Sequence, residues 1–169
     1  MKRLILGIVI GAGLVGCQEN ESVQSDFTGN ETVYALQQAS EYDISGTVTF
    51  KEKRDGKALV EIALSGTEGN VEFPVHLHLG DITAADKDVA ALLNPVLGKT
   101  GLSETTLSIL ADESAVTYKQ LIALEACVKI HLGASGPDRD IILAAGNVGS
   151  AASTDVSSGR VGIGVCKSE

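Results

Sequence analysis

Tryptophan is absent from these 169 residues, and three tyrosines and three phenylalanines supply all the aromatic rings. Surfaces that stack bases or sugars need such rings, so a stacking platform is excluded. Basic charge is scarce as well: 13 Lys and Arg stand against 22 Asp and Glu, a net charge of −9. An acidic surface repels phosphate backbones and anionic lipid heads, which excludes nucleic acid as a partner. There is no Gly-x-Ser-x-Gly elbow, no His-Glu-x-x-His pair and no phosphate-cradling glycine loop, so a hydrolase has no support. Long apolar runs are missing too. The longest, from Leu4 to Gly13, holds three glycines and falls short of the roughly 20 residues a membrane span needs.

What is present begins at the N-terminus. Lys2 and Arg3 precede that apolar run, and Leu14-Val15-Gly16-Cys17 follows it. A charged start, an apolar stretch and small residues at a cut describe a secretory leader. Ending in cysteine, it resembles the bacterial lipoprotein signal. The resemblance implies that residues 1–16 are removed and that Cys17 is lipidated and becomes the first mature residue. Acyl chains contribute about 0.8 kcal/mol per buried CH₂, so several of them anchor a domain without a membrane helix. Gln18 rather than Asp follows Cys17, which by Gram-negative sorting rules implies the outer membrane, facing the periplasm or the cell surface. Loss of Lys2 and Arg3 leaves 11 basic residues against 22 acidic ones, a mature charge of −11.

Residues 17–30 are polar and unpatterned and read as a lipidated tether. Residues 31–169 read as one domain, large enough for a real core. Two cysteines remain there, Cys127 and Cys166. In an oxidising compartment an even pair suits a disulfide, and two small buried thiols are the alternative.

Short alternating runs separated by glycine turns point to an all-β domain: a single β-sandwich or Greek-key-like barrel of seven or eight strands. Strands are expected over Thr32–Leu36, Tyr42–Phe50, Ala58–Leu64, Val71–Leu79, Leu102–Leu110, Cys127–Leu132, Ile141–Ala145 and Val161–Cys166. Asp55-Gly56 signals a hairpin. One or two short helices are expected in the connections. Ala84–Leu93 is apolar at helical spacing (Val89, Leu92, Leu93) and stops before Pro95. Thr117 is placed to cap a helix over Tyr118–Leu124.

The three histidines stand in Val75-His76-Leu77-His78-Leu79-Gly80 and Val128-Lys129-Ile130-His131-Leu132-Gly133. Alternation gives the core face of each strand to the aliphatics, so His76, His78 and His131 fall on the outer face. His-x-His on one strand sets two imidazoles about 7 Å apart at Cα, a spacing that can chelate one metal. Imidazole suits copper and zinc, and His131 from a neighbouring strand would complete a three-histidine site. Hydrogen bonding to loop backbone, or simple solvation, is the alternative. Asp81, Asp138 and Asp140 read as solvated turn residues. The polar loop from Gly133 to Asp140 either covers a site beside His131 or merely connects strands.

Several motifs in order resemble the chordin-type (CHRD) domain of bacterial lipoproteins. They are Ile44-Ser45-Gly46-Thr47-Val48, Phe73-Pro74-Val75-His76-Leu77-His78, Leu93-Asn94-Pro95-Val96, Thr100-Gly101-Leu102-Ser103-Glu104-Thr105, Val116-Thr117-Tyr118-Lys119-Gln120-Leu121, Val128–Leu132 and Ile142–Gly149. This resemblance implies an extracytoplasmic, non-enzymatic binding or structural module. A second likeness is to copper/zinc superoxide dismutases. It rests on His76-x-His78-Leu79-Gly80-Asp81, His131 and Gly159-Arg160-Val161-Gly162-Ile163-Gly164. It implies copper on His76, His78 and His131. The chain departs from that pattern in having no further histidine to bridge a second metal and no counterparts of the zinc ligands.

Overall fold

A computed structural model describes residues 24–83 and 88–153. The leader, Cys17, Cys166 and the expected strand Val161–Cys166 lie outside the described residues. Eight strands form a closed antiparallel barrel: β1 (Phe27–Gln38), β2 (Ser45–Lys53), β3 (Ala58–Ser65), β4 (Glu72–Leu79), β5 (Val89–Leu97), β6 (Leu102–Leu107), β7 (Glu125–His131) and β8 (Ile142–Gly149). Their order around the barrel is β1-β2-β3-β6-β5-β4-β7-β8. The expected all-β, Greek-key-like barrel is therefore the architecture. β4, β5 and β6 run as a meander, and β7 returns by a long connection to pair with β4, which is the Greek-key arrangement.

An eight-stranded barrel has an interior just wide enough for side chains to fill. Here Val48 and Phe50 of β2, Val60 and Ile62 of β3, Val75 and Leu77 of β4, and Val128 and Ile130 of β7 fill it. Tyr34 packs edge-on against Phe50 with ring centroids 5.5 Å apart. The Asp55-Gly56 hairpin forms as expected, with Gly56 at φ 85°, a value that glycine adopts without steric cost.

Three expectations need correction. The segment Ala84–Leu93 does not form a helix where it is described, because Val89 to Leu97 is strand β5. The register against β4 slips between Phe73 and Val75, so the strand bulges at Asn94 and Pro95. The helical spacing of Val89, Leu92 and Leu93 does not mark one buried face: Leu92 points outward at 72% exposure beside the buried Leu93, and the register slips a second time between Leu77 and His78. Pro95 cannot donate to a ladder, and β5 pairs with β6 only at Leu97–Leu102. Side chains hold the seam instead: Thr105 Oγ1 accepts from the Asn94 amide at 2.8 Å, and Ser103 Oγ donates to the Asn94 carbonyl at 2.6 Å.

The helix that Thr117 caps is a single turn, Tyr118–Leu121 (α1), rather than one reaching Leu124. Its capping box is complete, with Thr117 and Gln120 each bonding the other's backbone. Finally, β1 starts at Phe27, inside the segment read as tether. Polar residues conceal it. The Glu52 carboxylate accepts from Thr28 Oγ1 at 2.8 Å and from Asn30 Nδ2 at 2.7 Å, so hydrogen bonds rather than apolar packing fasten the strand's start.

Candidate metal centre

The sequence places the histidines on two strands without saying that those strands meet. The barrel closes that gap. β4 pairs with β7 in the register His76–Lys129 and His78–Cys127, so His131 lies diagonally across from His76 on the same face. Ring centroids are 4.5 Å apart for His76 and His131, 5.7 Å for His76 and His78, and 6.4 Å for His78 and His131. One ring nitrogen from each lies within 4.8 Å of the others, so the three together could hold one metal ion. Atoms no farther apart than 4.8 Å all lie within about 2.8 Å of a common point. A metal–imidazole bond needs about 2.0–2.1 Å, so each nitrogen would have to move inward by up to about 0.7 Å to bind one ion.

The rings do project from the outer face, opposite Val75, Leu77, Val128 and Ile130, but that face is not solvated. His131 is 1% exposed and His78 3%, while His76 is half-buried. The same face carries a second apolar cluster of Ile82, Cys127, Ile142 and Ala145. β8 is buried at every position on both faces, which its lack of alternation reflects.

His131 is held in a defined tautomer. Its Nδ1 lies 2.6 Å from the Arg139 carbonyl oxygen. A carbonyl only accepts, so Nδ1 carries the proton and donates it. Nε2 then keeps a lone pair. It is buried and has no hydrogen-bond partner. A buried acceptor without a partner is costly, on the order of 1–3 kcal/mol. A metal ion would satisfy it, and a backbone carbonyl behind the ring is the usual support of a ligating histidine.

His76 and His131 favour the neutral, ligating form. Burial pushes the His76 pKa down to about 4, and the like charges of His131, His78 and Arg139 push the same way. Burial also lowers His131, against an opposing pull from the Arg139 carbonyl. Neutral imidazole is what a metal requires, so little proton competition is built into the site.

The loop from Gly133 to Asp140 contains a 3₁₀ turn, Gly136–Asp140, which brings the Arg139 carbonyl to His131. Of the two roles expected for this loop, it takes the one beside the site. Asp81 is more than a solvated turn residue. Asn147 Nδ2 donates to its Oδ2 at 2.7 Å, and Asn147 Oδ1 accepts from the Ile82 amide at 2.7 Å. Asn147 thereby pins the chain just after the His-x-His pair. Sequence reasoning missed Asn147 and Arg139. Asn147 falls in the Ile142–Gly149 stretch of the CHRD likeness, which gives its side chain no role, and Arg139 acts through its backbone, which no residue type reveals.

Cys127 is buried opposite His78 and is not part of the three-histidine group. The other half of the expected disulfide, Cys166, lies outside the described residues. Among the described residues, no helix is long and apolar enough to cross a membrane. No protein-family model matches the chain, and neither a curated protein nor a solved structure matches it significantly.

Proposed function

We propose that this chain is a lipid-tethered, non-enzymatic metal-binding module of the CHRD type, with one copper ion held by His76, His78 and His131. The observation that carries the reading is the buried Nε2 of His131. It lacks a partner, its tautomer is set by the Arg139 carbonyl, and the residue belongs to a three-histidine group with one ring nitrogen from each within 4.8 Å of the others. Copper is favoured over zinc because copper(II) binds nitrogen sites most tightly among the divalent first-row metals. Three protein ligands leave a coordination position open.

The tether is the lipid on Cys17 implied by the lipobox, and its setting is the outer membrane. That oxidising setting favours a disulfide between Cys127 and Cys166. Reduction is expected to cost about 2–5 kcal/mol of stability, read as a lower melting temperature.

A second reading, a dismutase-like redox protein, is favoured by one feature. His76 lines an open groove with Pro74, Leu92, Pro95 and Ala134, which would admit a small reactant to the metal. The acidic net charge opposes steering of an anionic one.

Metal content separates these readings from a metal-free module. The full chain, produced with its leader and purified without a metal-binding tag, is loaded with copper and analysed by mass spectrometry. One copper per chain, lost in both His78→Ala and His131→Ala, supports the proposal. No stoichiometric metal overturns it. Stoichiometric copper with measurable superoxide turnover would move the protein to the second reading.

A further inference from the structure

Apart from the histidines, the barrel carries a cavity of about 410 Å³. Small-molecule sites typically span about 300–1,000 Å³. Its accessible apolar lining is the exposed Val71 and the half-buried Leu132, over a buried floor of Ile44, Phe73 and Leu143. Tyr42, Glu68 and Asp138 join the lining as exposed residues, and no Lys, Arg or His takes part. This combination has a definite chemical complement. The apolar lining suits a hydrocarbon body. Two carboxylates attract a positive charge, and the face of a tyrosine ring attracts an ammonium within about 6 Å of its centre. A neutral ligand would leave the carboxylates unused, and an anion would be repelled.

We propose that this cavity binds an organic ammonium ion, with its apolar body against Val71 and Leu132 above the floor of Ile44, Phe73 and Leu143, and its charged head at Tyr42, Glu68 and Asp138. The site does not rest on the metal reading, because no histidine contributes to it. It gives the module a ligand class of its own: amines or quaternary ammonium compounds with a compact hydrocarbon or aromatic group.

The test is titration of the full-length chain with benzylammonium, benzyl alcohol and benzoate, followed by calorimetry and by methyl NMR signals of Ile44 and Leu143. Benzylammonium should bind at one saturable site and shift both signals. Benzyl alcohol and benzoate should bind at least tenfold more weakly. The double variant Glu68→Gln with Asp138→Asn, which alters two exposed side chains, should lose at least tenfold in benzylammonium affinity. Three results overturn the proposal: no saturable shift at Ile44 and Leu143, equal affinity for benzyl alcohol, or unchanged affinity in the double variant. Copper loading of that variant reports on the histidine group separately.

Discussion

The two sides of this barrel share an inner face and differ in the outer one. On β2 and β3 the pattern is simple: Val48, Phe50, Val60 and Ile62 point inward and are buried, while Thr47, Ala63 and Ser65 point outward and are exposed. On β7 and β8 both faces are buried, and the outward one holds His131, Lys129, Cys127, Ala145 and Asn147. An antiparallel barrel needs only its interior to be dry. Burying polar and titratable groups on a second face costs free energy that folding alone does not require. The doubly buried side is therefore where function is to be sought, and the histidine group is found there.

The sharpest way to break this comparison is a matched pair of substitutions. Ala145 and Ala63 both face outward on their strands, the first buried at 1% exposure and the second exposed. Ala145→Asp should destabilise the chain by about 3–5 kcal/mol, because it buries a carboxylate without a partner. Ala63→Asp should stay within about 0.5 kcal/mol, as exposed surface changes do. Denaturant unfolding of both reads the difference, and equal effects would erase the distinction.

A smaller effect is expected at the polar support of the same side. Asn147→Ala strands the Ile82 amide and removes a donor from Asp81, at a cost of about 1–3 kcal/mol. Thr49→Ala, on the outward face of β2, should cost far less. A melting temperature unchanged by Asn147→Ala would show that the Asp81–Ile82 turn needs no pin.

Smaller still is the pH dependence of the metal-free chain. His76 stays neutral in the fold down to about pH 4, whereas in the unfolded chain it takes up a proton below about 6.5. The unfolded state then binds more protons, so stability falls as pH drops from about 6.5 towards 4 and is fully present above that window. With its half-exposed ring discounted for screening, His76 contributes about 1–2 kcal/mol of this loss. His76→Gln should flatten the stability profile across that window. An unchanged slope would mean that the ring is protonated as easily in the fold as out of it.

These contrasts also mark how far the sequence could be read. Alternation alone assigned the inward and outward faces of β2, β3, β4 and β7, because each strand keeps a strict period of two there. It failed at β5, where Val89, Leu92 and Leu93 fall at helical spacing although Leu92 is an exposed strand residue and two bulges interrupt the ladder to β4. It failed at β1, where hydrogen bonds to Glu52 replace apolar contacts. The histidine pair and its outward face were legible, since His-x-His on a strand is a local pattern. The adjacency of β4 and β7 was not, because a Greek-key return is set by tertiary packing. Nor was the Arg139 carbonyl behind His131, which depends on a loop conformation that the side chains do not encode.

The most direct test of the metal centre is to count the nitrogens on bound copper. Pulsed electron paramagnetic resonance of the copper(II)-loaded full chain should show three imidazole ligands at one copper per chain, and one fewer in His131→Ala. Copper that binds substoichiometrically, or a nitrogen count unmoved by His131→Ala, would contradict the account.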